Sequence, residues 1–329
     1  MPRIRLYMAP MKGLTDHLFR SAFADHFGGF DLAVAPFITT KQGHRIKRNY
    51  VKDVLPENNT RMPVIPQILS KTAGDFIILA NYLYDLGYDT VNWNLGCPYP
   101  MVANKKRGSG MLPYTDRIQA FLDRVIPEIN GSLSIKMRLG WKENIDIFKL
   151  LPVIDPYPLS QIIIHPRTGL QRYEGSVDLD AFEDCLAVTG HTVVYNGDIR
   201  TVDDFRRLYQ RFDRVHAWMI GRWCIADPFL PGRITTGADI PDKIYRMQLF
   251  HDTLFEAYNR VLDGPSHVMN KMKGFWRYFS LPFEDCKKSM KNITKSRLPE
   301  QYLERVNLFF ETEAKLRKPA DIHAQRTRQ

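Results

Sequence analysis

Short runs of apolar and β-branched residues alternate along the chain with longer amphipathic stretches. Eight such runs precede residue 230, at positions 5–10, 30–37, 63–69, 90–96, 133–140, 161–167, 192–197 and 217–222. Between several of them apolar residues recur at helical spacing, as in 16–27, 74–88, 116–129 and 202–212. Strand runs that alternate with helices predict a parallel sheet with crossover helices.

The number of these units favours a closed (β/α)8 TIM barrel over an open doubly wound sheet, which is the alternative. A barrel of this kind typically takes about 250 residues, and we expect it to occupy residues 1–240 here. Nearly every run also ends in polar residues, glycine or proline. In a barrel these strand ends meet on one face, where such enzymes keep their chemistry.

The pattern of the chain changes after residue 240. Segments 243–263, 266–281, 283–293 and 299–317 have helical periodicity without strand runs, which predicts a small helical domain over 241–329. The segment 230–243, which contains Gly, Pro and Thr, is the expected boundary, and 323–329 are expected to fray.

Composition and charge are those of a soluble globular chain with a basic C-terminal part. Of 329 residues, 44% are hydrophobic and 25% charged, with no signal-peptide pattern and no long apolar run. We therefore expect a cytoplasmic monomer without a membrane partner. The formal net charge is +10, with 17 Lys and Arg against 11 Asp and Glu after residue 240, which favours a polyanion such as nucleic acid as partner.

The four cysteines lie far apart and form no CxxC pair, so we expect neither a disulfide framework nor a metal site. Cys97 differs from the others because Gly96 and Pro98 flank it at a strand end. A thiol near its ordinary pKa is protonated at neutral pH and suits a general acid as well as a nucleophile. The alternative, a small buried hydrophobic residue, applies well to Cys185 and Cys286.

Two cations are predicted to point into the barrel at the end of one strand. Lys136 alternates with Ile135 and Met137, and Arg138 shares its face. Two inward cations favour an electron-rich ligand, because a buried lysine without a partner is costly. The alternative is a lysine that reaches solvent at the strand rim.

Two further polar residues lie at strand ends, His165 near Arg167 and Gln67. The histidine is either a ligand contact or a structural residue, and the glutamine is either a partner for a flat heterocycle or polar surface. The last two runs end in Asn196-Gly197-Asp198 and Gly221-Arg222. Glycine turns at these two positions favour a phosphate site over simple tight turns.

Together these motifs resemble those of the tRNA-dihydrouridine synthase family. The segments APMKGLTD (9–16), PVIPQI (63–68), NWNLGCP (92–98), GSGML (108–112), SIKMRLGW (134–141), IIIHPRTGLQRYEG (162–175), VVYNGDI (193–199) and MIGR (219–222) occur in the order, and near the spacing, of that family. The resemblance covers about residues 5–230, and the segment 270–279 resembles the family's RNA-binding domain.

The resemblance implies an FMN-bound barrel that reduces the C5–C6 double bond of a tRNA uridine, in a loop such as the D-loop, with NADPH as reductant. It implies that Cys97 protonates C5 after hydride reaches C6. The implied cofactor contacts are Pro10, Met11, Lys12, Gln67, Lys136, His165, Asn196, Gly197, Asp198, Gly221 and Arg222. The expected substrate contacts are Asn94, Lys105, Arg138, Arg167, Lys271, Lys273 and Arg277.

The C-terminal segment also carries aromatic residues among its cations. Trp276 and Tyr278 lie between these lysines and arginines, and we expect them to share in gripping RNA; the alternative is a solvated helix face. Two other functions stay open at this point. One is a flavin barrel that reduces a small molecule such as a dihydropyrimidine or an enone, and the other is a barrel that binds RNA without catalysis.

The chain departs from the family pattern at three places. Ala35-Pro36 replaces the usual Thr-Glu, Pro100 replaces a lysine that commonly follows the cysteine, and Trp223 replaces the last glycine of Gly-Arg-Gly. These departures bear on substrate detail more than on flavin binding.

Overall fold

The computed structural model of the chain describes residues 4–41, 43 and 46–317. Every strand pairing in its single ten-segment sheet is parallel. The strands are β1 (Arg5–Met8), β2 (Leu32–Val34), β3 (Ile38–Thr39), β4 (Val64–Ile65), β5 (Gln67–Leu69), β6 (Thr90–Leu95), β7 (Ser132–Gly140), β8 (Leu159–Thr168), β9 (Val193–Asn196) and β10 (Ala217–Ile220).

The ten segments make eight strands that close into a barrel. β1 pairs with both β10 and β2, β2 pairs with β4, and β3 pairs with β5. Two prolines explain the interruptions, because a proline has no N–H to donate to a strand ladder. Pro36 lies between β2 and β3, and Pro66 lies between β4 and β5. The predicted TIM-barrel fold is therefore confirmed, with each sequence run forming one strand position.

Helices cross between the barrel strands and continue after them. The barrel part contains α1 (His17–His26), α2 (Ala73–Asp85), α3 (Pro100–Ala103), α4 (Thr115–Val125), α5 (Ile145–Ile154), α6 (Leu179–Val188), α7 (Val202–Arg211), α8 (Trp223–Ala226) and α9 (Leu230–Thr236). The C-terminal part contains α10 (Lys243–Val261), α11 (Pro265–Phe279), α12 (Lys287–Lys295) and α13 (Pro299–Leu308).

Some predicted element limits were wrong. The helix expected at 283–293 begins only at Lys287, because Phe283 forms a β-bridge with Leu316. The helix expected over 299–317 ends at Leu308 and continues as one π-helical turn, Phe309–Glu313. The expected boundary segment contains α9, so the connection to α10 is shorter than predicted. The fraying expected for 323–329 concerns residues outside the described part of the chain.

The barrel and the C-terminal helices share one apolar core, and aromatic rings form much of the contact. Phe250 of α10 lies 5.6 Å from Phe19 and 5.0 Å from Phe27 between ring centroids, and Phe275 of α11 lies 6.4 Å from Phe19. These rings bury the outward face of α1. The C-terminal helices are therefore packed against the barrel.

Among the residues that the structure describes, no helix is both long and apolar enough to cross a membrane.

Candidate active site

A cavity opens where the carboxyl ends of the barrel strands meet. All eleven residues that the sequence suggested for a cofactor line it, and so do Asn94, Cys97 and Arg138. The predicted strand-end residues thus lie together on one face of the barrel. Because the strands are parallel, their carboxyl ends cannot be elsewhere.

Hydrogen bonds fix the backbone of Cys97 from both sides. The side-chain Oδ1 of Asn94 accepts from the N–H groups of Gly96 (3.1 Å) and Cys97 (2.9 Å). The carbonyl of Cys97 accepts from the N–H (3.1 Å) and the Oγ (2.9 Å) of Ser109. Gly108 has φ +55°, and a Cβ there would lie 2.7 Å from the Cys97 carbonyl oxygen, so only glycine fits. The turn therefore holds the backbone of Cys97 in one position at the cavity, which this residue lines.

A row of buried amides connects this turn to the interior of the barrel. Asn94 Nδ2 donates to Gln67 Oε1 at 2.7 Å, and Gln67 Nε2 donates to Asn92 Oδ1 at 2.7 Å. Asn92 Nδ2 then donates to Ser134 Oγ at 2.8 Å. The row defines which way the amide of Gln67 faces, and it makes the position of Cys97 depend on β5, β6 and β7 together.

The environment of Cys97 keeps its thiol protonated at neutral pH. Burial raises the pKa of the thiol above its ordinary value. A backbone hydrogen bond from Tyr99 and the charges of Arg138, Lys12 and Lys136 oppose this rise without cancelling it. The group is therefore equipped to give a proton rather than to attack as a thiolate.

Lys136 points into the same cavity from β7, as its alternation predicted. Burial and, to a smaller extent, the charge of the nearby Arg138 lower the pKa of its amine to about 7, and Cys97 acts in the opposite direction. A lysine in this state takes up a proton when an electron-rich group lies beside it.

His165 is a neutral ring in this cavity. Its Nε2 lies 3.1 Å from Arg167 Nη1, and because arginine only donates, Nε2 is the acceptor and the ring proton is on Nδ1. Burial, followed by the charges of Arg138, Lys136, Arg167 and Arg222, holds the pKa of the imidazole well below its ordinary value. His165 is thus a hydrogen-bond donor toward a ligand rather than a cation.

Three arginines surround one buried carboxylate at the ends of β9 and β10. Asp198 accepts from Arg167 (2.6 Å), Arg200 (3.1 Å) and Arg222 (3.1 Å). Burial alone would raise the pKa of Asp198, but these guanidinium groups, Arg167 above all, hold it below its ordinary value. Gly197 lies in the same turn, where a Cβ would lie 2.1 Å from the phenol oxygen of Tyr195. The excess of positive charge suits an anion such as phosphate.

Two arginines expected at the substrate have structural partners instead. Arg167 is completely buried outside the cavity lining, and it donates to Asp198, to Gly175 O and to His165. Its expected direct contact with substrate is therefore wrong, and it orients neighbouring side chains. Arg138 does line the cavity, but it donates to the carbonyls of Gly96 (3.0 Å), Thr168 (2.8 Å) and Arg172 (2.7 Å).

The cations expected to grip RNA from the C-terminal part separate into two groups. Lys271 forms an ion pair with Asp16, and Lys273 donates to Ser296 O at 2.6 Å, so both amines are engaged within the protein. Arg277 is exposed and keeps its expected role as a prediction, and so does Lys105 of the barrel part, which is also exposed.

The expectation that Trp276 takes part in gripping RNA is wrong. Its ring is 1% exposed and its Nε1 donates to the hydroxyl of Tyr302 at 2.8 Å. The side chain belongs to the core of the C-terminal helices.

Three tyrosines lie at the mouth of the cavity, and the sequence reasoning had missed two of them, Tyr99 and Tyr173. Tyr99, Tyr173 and Tyr278 line it from the loop after β6, the loop after β8 and helix α11. The guanidinium group of Arg222 lies 4.5 Å from the ring centroid of Tyr173. Tyr99 had a signal in the local sequence because it lies two residues after the cysteine, and Tyr173 had none; Tyr278 was expected to contact RNA, which stays a prediction.

The structure accommodates the three departures from the family pattern in the cavity lining or in a helix. Pro36 and Trp223 line the cavity. Pro100 is the first residue of α3, where a proline costs no hydrogen bond. No group of three or more potential metal ligands occurs in the described ranges.

Comparison with known proteins identifies the family of the chain. The model of the dihydrouridine synthase family matches residues 7–309. A probable tRNA-dihydrouridine synthase of Rhizobium leguminosarum bv. phaseoli is 30% identical over 79% of this chain and 80% of its own length. A tRNA-dihydrouridine(16) synthase of Cupriavidus necator is 28% identical, with 70% of this chain and 73% of that protein covered.

Solved structures with a similar fold are far more distant in sequence. The old yellow enzyme homologue of Zymomonas mobilis has a TM-score of 0.53 at 12% identity, covering 74% of this chain and 94% of that one. Histamine dehydrogenase of Rhizobium sp. 4-9 has a TM-score of 0.56 at 10% identity, covering 76% and 49%. These likenesses show the barrel fold alone.

Proposed function

The chain belongs to the dihydrouridine synthase family, and we propose that it reduces the C5–C6 double bond of uridine in tRNA to 5,6-dihydrouridine, with FMN as cofactor and NADPH as reductant. One observation carries the proposal. A buried, protonated Cys97 shares a single cavity with Lys136, His165 and an arginine-rich turn. A proton donor beside an anion site and a set of ring-facing donors suits reduction of a conjugated heterocycle.

The residues of the cavity fit FMN. Gly197, Gly221 and Arg222 would hold the phosphate, with Asn196 and Asp198 toward the ribityl chain, because glycine turns and guanidinium groups provide donors to an anion. Gln67, Lys136 and His165 would face the ring system, and Pro10, Met11 and Lys12 would lie along it. When bound, FMN supplies a hydride.

The protein's own contribution is a proton and its placement. Once C6 of uracil has received hydride, the electron pair of the former double bond lies at C5, and Cys97 Sγ gives its proton there. The thiolate that remains recovers a proton from solvent, so the sulfur is unchanged over a cycle. Asn94 and Ser109 keep the sulfur in place by holding the Cys97 backbone. Lys136 would place its amine beside the bound ring system, where a cation stabilises negative charge.

The mouth of the cavity supports a nucleotide as substrate. A uridine must leave its stack to reach Cys97, which is least costly in a loop. The rings of Tyr99, Tyr173 and Tyr278 offer faces on which a base can stack, and Lys105 and Arg277 are placed for phosphates. The names of the relatives described above support tRNA as the RNA concerned.

Mapping dihydrouridine in the RNA of cells that lack this protein tests the proposal. We expect one or more tRNA positions to lose the modification, and a gene copy of the wild type, but not of Cys97→Ala, to restore it. Unchanged modification at every position would refute the function. Purified protein should carry flavin absorbance, which a barrel that binds RNA without catalysis would lack, and NADPH should reduce that flavin faster than NADH.

A further inference from the structure

Lys271 belongs to the C-terminal helix α11, yet its amine binds a loop of the barrel. Its Nζ donates to the carbonyl of Gly13 at 2.6 Å and forms an ion pair with the carboxylate of Asp16. The hydroxyl of Tyr258, from α10, donates to the same carboxylate at 2.9 Å. Two C-terminal helices therefore hold the one loop between β1 and α1.

This loop, residues 9–16, forms one wall of the cavity. Pro10, Met11 and Lys12 line the cavity directly. Thr15 fixes the loop from within, because its Oγ1 accepts from Met11 N at 2.9 Å and donates to Ala9 O at 3.2 Å. Lys271 fixes the same loop from outside the barrel through its contacts with Gly13 and Asp16, which we call the clamp.

At its outer end the same loop contains a glycine, which restricts the backbone less than any other residue, so contacts from outside decide which arrangement the loop keeps. Gly13 has φ +81°, in the left-handed region that favours glycine. Asp16 caps α1 by accepting from Phe19 N at 3.1 Å, so the same carboxylate both caps the helix and binds Lys271. The side chain of Lys271 is 17% exposed and that of Asp16 is 26% exposed, so the ion pair is partly removed from water and less screened than a surface pair.

We propose that Lys271 is a positioning residue that sets how tightly the barrel holds FMN without contacting the cofactor. The inference rests on the proposed function, because it takes Pro10, Met11 and Lys12 to lie along the flavin. Without the clamp the loop samples other arrangements, and only part of the protein has the loop conformation that binds FMN. The apparent Kd then rises in inverse proportion to that part. Lys271 and Tyr278 are seven residues apart, so one face of α11 serves both the loop and the cavity mouth.

The affinity of the full-length apo-protein for FMN tests the inference. We expect Lys271→Met to raise the Kd about tenfold, which corresponds to losing a hydrogen bond to a charged group, and Lys271→Arg to recover most of the affinity. Lys273→Met is the matched control, because it removes a lysine of the same helix whose bond to Ser296 O stays within the C-terminal helices. Its Kd should equal that of the wild type.

A second readout needs no cofactor. Lys12 is exposed in the clamped loop, so trypsin should cut after it faster in apo Lys271→Met than in the wild type or Lys273→Met. Equal Kd values and equal cleavage rates for Lys271→Met and the wild type would overturn the inference. Equal weakening by Lys273→Met would also overturn it, since general loosening of the helices would then be the cause. A wild type that binds no FMN would refute the proposed function instead, while the cleavage rates would still decide the clamp.

Discussion

At the scale of single residues, the site depends on how each polar group is held. The N–H of Cys97 donates to Asn94 on β6, and its carbonyl accepts from Ser109 in the following loop, so the backbone that carries the thiol cannot shift without breaking these hydrogen bonds. Burial, followed by the surrounding cations, lowers the pKa of His165 and keeps the ring neutral, and Arg167 fixes its tautomer by donating to Nε2. The chemistry therefore needs these partners as much as the groups that face the substrate.

The pKa of Lys136, near 7 in the free protein, predicts a pH-dependent affinity for FMN. An electron-rich ring favours the charged amine, so the pKa rises on binding. Below pH 7 the amine is charged in both states and binding is tightest. Above pH 7 binding must take up a proton, and affinity falls by up to about tenfold per pH unit. Titrations between about pH 7 and 9 measure this.

The variant Lys136→Met is the comparison for that titration. It lacks the titrating group, so its affinity should be lower than that of the wild type and its pH slope should disappear. Equal slopes in the two proteins would show that another group is responsible.

The positions of single residues were predicted well where the signal was local and poorly where the partner was distant. Cys97 and Lys136 stood out because of neighbours one or two positions away. Arg167 has its carboxylate partner 31 residues away, and Lys271 has its partners 255 and 258 residues away. No local pattern carries such information, so both were assigned to the substrate.

At the scale of elements, parallel strands explain why so much of the site could be predicted. Every barrel strand runs in one direction, so residues at eight separate strand ends meet on one face. The rim is different, because its tyrosines come from two loops and from α11, and a sequence does not show how a helix outside the barrel is docked. The burial of Trp276 did have a signal, since it continues the apolar stripe of Met269 and Met272 on α11.

Helix α11 ends at the cavity mouth with Arg277 exposed. We expect Arg277→Ala to weaken binding of tRNA and to reduce the slope of log affinity against log salt by about one, because one phosphate contact is lost. Arg206→Ala on α7 is the control, since it removes an equal charge that is 68% exposed and paired with Asp203 on the barrel's outer surface. Identical salt slopes for the wild type and Arg277→Ala would place the RNA elsewhere.

At the scale of the whole molecule, the barrel and the C-terminal helices behave as one packed body. Phe250 touches the rings of Phe19, Phe23 and Phe27 across the junction, so removing the helices would expose an apolar face of α1. The sequence predicted a helical segment after residue 240 but not this shared core. Helical periodicity shows which face of a helix is buried, but it does not show which other element that face packs against.

Phe250→Ala should therefore destabilise the entire chain. We expect a loss of about 3–5 kcal/mol in the free energy of unfolding, from lost apolar contact and a residual cavity. Tyr245→Ala on the same helix, where the ring is 61% exposed, should change it by less than about 0.5 kcal/mol. Urea unfolding followed by circular dichroism and by tryptophan fluorescence measures both. Two separate transitions, with that of the barrel unmoved, would contradict a shared core.

The most direct test of the central claim is the rate at which the FMN-loaded protein, supplied with NADPH, adds two hydrogens to a uridine of a tRNA transcript, followed by mass spectrometry. We predict that the wild type and Cys286→Ala, whose thiol lies in the C-terminal part, react alike. Cys97→Ala should react about 10²- to 10⁴-fold more slowly, although NADPH still reduces its flavin at the normal rate. A Cys97→Ala protein that reduces uridine at the full rate would contradict the account.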